Sequence, residues 1–73
     1  MTFNERIRAL REDKDINQTE LAKAVNSTQR SISHYEKGEI EPPYKILIEI
    51  AKYFNVSLYY ILGISDKQKK FGE

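Results

Sequence analysis

Apolar residues recur at helical spacing in five separate runs of this chain, each bounded by polar or turn-forming residues. In the first run Phe3, Ile7 and Leu10 make one stripe. Thr2-Phe-Asn-Glu5 in front of it has the form of a capping box, in which hydroxyl and carboxylate satisfy early backbone donors reciprocally. The spacing predicts a helix from Phe3 to Asp13, ended by the polar stretch Glu12-Asp-Lys-Asp15, with Ile16 as an apolar anchor in the loop. Asn17 followed by Glu20 is a second start signal. Leu21, Ala22 and Val25 then fall at i, i+1 and i+4, and Ile32 and Tyr35 at i and i+3. Two short helices are predicted there, each with one narrow apolar stripe. Ala22 supplies the small residue that a close crossing of the two needs. Between them, Asn26 readily takes the left-handed conformation that closes a helix, and Ser27 suits the N-cap of the next. A connection of about three or four residues is the length of a helix-turn-helix corner.

The third helix is predicted from about Thr28 to Glu36, closing at Lys37-Gly38, where glycine accepts positive φ. Glu39-Ile-Glu-Pro-Pro43 cannot continue it, and Pro43 suits the first position of a fourth helix. In that helix Leu47, Ile50, Ala51 and Phe54 repeat at i, i+3, i+4 and i+7, widened by Ile46 and Tyr53, which makes it the main core helix. Asn55-Val-Ser57 leads into a short fifth helix, Leu58 to Leu62, with Ser57 as cap, Val56 and Ile61 as a hydrophobic staple, and Gly63 as stop. The expected fold is all-α: a compact five-helix bundle over residues 1–64, followed at 65–73 by a flexible charged C-terminal tail that frays.

A chain of 73 residues is one domain, near the size where a hydrophobic core alone barely suffices. The absence of cysteine excludes disulfides, a thiolate nucleophile and Cys-ligated zinc. The N-terminal MTFNERIRAL carries charges where a signal peptide needs an apolar run, and no apolar stretch approaches the ~20 residues of a membrane span. A cytoplasmic protein with no membrane partner is expected. Twelve Lys and Arg stand against eleven Asp and Glu, for a formal charge of +1. A nucleic-acid binder of this charge must rely on placed cations, backbone amides and helix N-termini rather than on a general positive field. Its binding should show a modest salt slope.

At about 100° per residue, Arg30, Ser33, His34 and Lys37 cluster on the third helix opposite Ile32 and Tyr35, with Thr28 and Gln29 at its tip. Amide, guanidinium, imidazole and hydroxyl groups all reach base edges or phosphates, Arg preferring guanine O6/N7 and Gln adenine N6/N7. Any soluble helix has a polar face; the corner in front of this one gives the face its meaning. His34, the single histidine, has no adjacent carboxylate in the sequence pattern, so neither a metal cluster nor a catalytic relay is expected, and base contact is its functional reading. No nucleophile with a base, no paired carboxylates and no phosphate-cradling glycine loop are present, so no enzyme, cofactor or metal is expected. Tyr35 reads as core. Tyr59 and Tyr60 fit core, exposed surface or a dimer contact, one ring in and one out, with Ile64 near a subunit interface.

From the first helix through Gly63, about 60 residues, the chain resembles the lambda-repressor-like, Xre-type family of helix-turn-helix DNA-binding domains. The resemblance rests on Asn17-Gln18, Leu21-Ala22, Val25, Ile32, Tyr35-Glu36, Gly38, the proline after a short loop, Leu47, Ile50-Ala51 and Phe54-Asn-Val-Ser57. Asn26 stands where the family commonly has glycine, and Asn tolerates the same backbone geometry. It implies a bacterial or phage-type transcriptional regulator, most often a repressor, whose second and third helices form the corner. The third helix would read the major groove of double-stranded DNA, as a homodimer on a palindromic operator. By the same resemblance Gln29, Arg30, Ser33 and His34 face bases. Asn17, Gln18, Thr28, Ser31, Lys37 and Lys45 lie near the DNA backbone, Gln18 also supporting the first reading side chain. Arg11 and Glu36 form an ion pair tying the first helix to the end of the third. The competing expectation is a protein-interaction module of antitoxin or anti-repressor type, with a regulatory protein docking on Tyr59, Tyr60 and Ile64 should they form one patch.

Overall fold

The computed structural model describes residues 1–72. Among them are five helices and no strand: α1 (Phe3–Asp13), α2 (Gln18–Ala24), α3 (Gln29–Lys37), α4 (Tyr44–Phe54) and α5 (Leu58–Ile61). α1 and α2 both open with capping boxes. Thr2 caps α1 while the Glu5 carboxylate accepts from the Thr2 backbone at 3.0 Å, and Asn17 and Glu20 do the same for α2 at 2.8 and 2.9 Å. The Thr2 backbone and hydroxyl bonds hold the Glu5 carboxyl below its ordinary pKa.

Three of the boundaries that differ from the sequence expectation by one residue do so for a local reason. Asn26 takes the left-handed conformation, φ 59°, and this turns the Ser27 amide back onto the Ala22 carbonyl at 2.8 Å. Ser27 therefore belongs to the closure of α2, and the extended residue capping α3 is Thr28, whose hydroxyl accepts from the Ser31 amide at 3.1 Å. Pro43 has an extended ψ of 152° and sits at the N-cap of α4 rather than its first position. α5 ends at Ile61, with Leu62 as its C-cap. The Gly38 cap is as expected, at φ 75°.

Ile7, Leu21, Val25, Ile32, Ile50, Val56 and Ile61 are fully buried, so each of the five helices or its flank sends a branched side chain to one centre. Each contributes about 1.5–3 kcal/mol relative to exposure. α3 packs against both α1 and α2, and α5 ties α4 to α1. Ala22 is buried beside Leu21, the small residue expected in the corner. Phe3, Leu47 and Phe54 are only partly buried and lie against the core rather than within it. Gly63, at φ 78°, backs onto the chain start so closely that a Cβ would sit 2.1 Å from the Met1 carbonyl oxygen.

Residues 65–72 run back over the α4–α5 turn. The Lys69 carbonyl accepts from the Ser57 amide at 2.8 Å, the Asn55 Oδ1 from the Phe71 amide at 3.2 Å, and Asp66 stands 3.5 Å from Arg6. Arg6 is buried, its guanidinium stacked 3.9 Å over the Tyr60 ring, with Nε free of a hydrogen-bond partner among the described residues. No helix among the described residues is long and apolar enough to cross a membrane.

Candidate nucleic-acid interface

Ile32 and Tyr35 pin α3 to the core from its inner face, and Glu36 is buried beside them. The opposite face carries the residues singled out from the sequence: Gln29, Arg30 and Lys37 are exposed, and Ser31, Ser33 and His34 half-buried. Thr28 Oγ1 donates to Ser31 Oγ at 3.0 Å, so the hydroxyls at the tip form one cluster.

A chain of hydrogen bonds runs from that tip into the core. Gln29 Nε2 donates to Gln18 Oε1 at 2.7 Å, and Gln18 Nε2 donates to Glu36 Oε1 at 3.1 Å. Glu36 also takes two bonds from Arg11, Nε to Oε2 at 2.6 Å and Nη2 to Oε1 at 3.0 Å. Arg11 Nη1 then donates to the Ile16 carbonyl at 2.9 Å, fixing the loop before α2. Both side chains of this pair are out of water, 14% and 4% exposed, and the Glu36 bond raises the Arg11 pKa above its ordinary value. α1, the entry to α2, and both ends of α3 are thereby joined through one polar network.

Asn17 uses its side chain as the α2 cap. Lys45 lies exposed at the start of α4, along a groove it shares with Val25, Asn26 and Ile46, so it flanks the α2–α3 turn rather than α3 itself. Tyr59 and Ile64 are 63% and 71% exposed, while Tyr60 is half-buried with Arg6 stacked on one face of its ring: Tyr59 faces out and Tyr60 is partly withdrawn. Tyr59 lines an apolar groove with Leu58, Leu62 and Phe71, and Ile64 is not part of it. Among the described residues no group of three or more His, Cys, Asp or Glu is placed to hold a metal ion.

A helix-turn-helix family model matches residues 7–61, from the middle of α1 to the end of α5. The chain belongs to the lambda-repressor-like helix-turn-helix family. It is 35% identical over 69 residues to the HTH-type transcriptional regulator YqaE of Bacillus subtilis, covering 94% of this chain and 60% of that protein. To the HTH-type transcriptional regulator DicA of Escherichia coli it is 39% identical over 69 residues, 93% of this chain and 51% of the relative. The chain thus spans little more than half the length of either. The P22 c2 repressor, solved in complex with a synthetic operator, superposes at a TM-score of 0.81 with 35% identity, over 85% of this chain and 94% of that one. The family is one of transcriptional regulators, not of enzymes.

In this helix-turn-helix domain two contacts lie outside what the sequence pattern showed. The expectation that His34 has no adjacent carboxylate is corrected: Glu39 Oε1 stands 3.0 Å from His34 Nδ1. Glu39 is five residues on, too far to share a helix face, but left-handed Gly38 folds the chain back, so that the Glu39 amide also bonds the His34 carbonyl at 3.0 Å. A glycine cap followed directly by an acid was the available signal. Arg6, buried under Tyr60, had no signal beyond its place beside Ile7.

Proposed function

We propose that this chain is a sequence-specific, double-stranded-DNA-binding transcriptional regulator, acting as a repressor, that reads the major groove with α3 as a dimer on a palindromic operator. The observation that carries the reading is the α3 tip. Exposed Gln29 is braced by Gln18 from the adjoining helix, and Arg30, Ser33 and His34 continue the same polar edge without an apolar side chain among them. Similarity to a repressor solved on its operator supports the same partner.

In this reading Gln29, Arg30, Ser33 and His34 meet base edges. Asn17, Gln18, Thr28, Ser31, Lys37 and Lys45 meet the sugar-phosphate backbone, where contacts set register without reading sequence. Tyr59 and Ile64 are the proposed subunit contacts; Tyr60 is dropped from that set because its ring is half-buried and stacked on Arg6. Selection of duplex fragments from a random pool by the purified protein tests the whole proposal. A two-fold consensus with half-sites about one helical turn apart is expected. No enrichment, together with retention of a stoichiometric protein partner, would replace it with the interaction-module reading.

A further inference from the structure

We propose that Glu36, buried and out of reach of DNA, is a positioning residue for base discrimination: it fixes which way round Gln29 presents its amide. The inference rests on the α3 reading above.

A carboxylate bonded to a guanidinium accepts hydrogen bonds and donates none. Both Glu36 oxygens accept from Arg11, and Oε1 also faces Gln18. Gln18 therefore has one workable orientation, its NH2 toward Glu36 at 3.1 Å and its carbonyl oxygen away. That oxygen faces Gln29 at 2.7 Å, and a Gln29 carbonyl turned toward it would set two acceptors against each other. Gln29 must spend one N–H on Gln18. The charge on Glu36 thus sets two amides in sequence, and the exposed end of Gln29 keeps one N–H and one carbonyl oxygen side by side.

A donor beside an acceptor discriminates between purines. Adenine offers N7 as acceptor and N6–H as donor in the major groove, while guanine offers two acceptors, N7 and O6. With its orientation locked, Gln29 meets guanine O6 with its own carbonyl. A free amide could turn and soften that clash. Glu36 is 4% exposed and seven residues from Gln29 along α3, so its influence on a base preference runs through Gln18.

Fluorescence anisotropy on the selected duplex tests this. Gln29→Ala first locates the base pair concerned, as the position where its preference disappears; a Gln29→Ala protein with every preference intact would remove the α3 reading itself, and this proposal with it. At that pair the parent protein should favour A·T over G·C by roughly fivefold to a hundredfold. In Glu36→Gln the residue-36 amide can donate, Gln18 can reverse, and the ratio should fall to within about twofold of parity. Preferences at pairs sensitive to Arg30→Ala should stay as they are. Uniform weakening with the purine ratio preserved would make Glu36 a structural residue and overturn the proposal. Since Glu36→Gln leaves Arg11 without a charged partner and can unfold the domain, Gln18→Met cuts the relay with the ion pair intact. It should narrow the same ratio in a protein whose melting remains cooperative, and an unchanged ratio there overturns the proposal equally.

Discussion

Arg11 and Glu36 join α1 to the end of α3 through two hydrogen bonds of 2.6 and 3.0 Å, with the Glu36 side chain almost wholly out of water. A pair so placed is valuable mainly because neither partner can be left alone. Arg11→Ala should cost about 3–5 kcal/mol in chemical denaturation, most of it from a carboxylate stranded in the core. The double replacement Arg11→Met with Glu36→Leu should recover much of that loss. Because Glu36 raises the Arg11 pKa, the guanidinium's contribution is complete below its ordinary range and declines only as pH climbs through the raised value. Stability curves across neutral pH should therefore carry no step from Arg11.

The start of α3 sets a test between adjacent hydroxyls. Thr28→Ala removes the cap and should lower stability by about 1 kcal/mol. Ser27→Ala, at a residue whose backbone rather than side chain closes α2, should change thermal stability little. Equal losses from the two would return the cap to Ser27.

Base and backbone contacts separate in their salt response. Arg30→Ala should cost about 1–3 kcal/mol on the preferred duplex and relax the preference at one position. Lys37→Ala should weaken all duplexes alike and lower the salt slope by about one. Of the proposed contacts only Arg30, Lys37 and Lys45 are cationic, so the loss of one is easily read.

Deleting residues 65–73 removes the carbonyl bonded to the Ser57 amide and the carboxylate beside Arg6. The shortened domain should lose about 1–2 kcal/mol. Hydrogen exchange at the Ser57 amide should speed up more than at Ile61, whose bond lies within the Ser57 turn. A tail that frays freely would leave both rates unchanged.

The parts of this fold legible in the sequence are those governed by neighbours in the chain. Thr2 with Glu5, Asn17 with Glu20, and Ser57 before Leu58 announce three helix starts because a cap and its target are three residues apart. Where closure of one helix borrows the next residue, as Asn26 borrows Ser27, the boundary moves by one. Periodicity gave Phe3, Leu47 and Phe54 a face but not a depth, which depends on what other helices cover. The polar edge of α3 was readable from its own wheel. The link from Gln29 through Gln18 to Glu36 was not, since it joins residues 11 and 18 positions apart that meet only once the corner has closed.

The backbone of Gly63 lying against the Met1 carbonyl makes the bundle nearly a ring, its first and last helical boundaries in touch. The order in which the five helices follow one another is then a matter of where the ring is cut. A permuted gene that joins residue 64 to residue 1 through a short linker and opens at the exposed Glu39–Glu41 stretch would keep every helix whole and every buried contact of α3 available. Its new termini would emerge beside the C-terminal end of α3, offering a place to attach a reporter next to that helix.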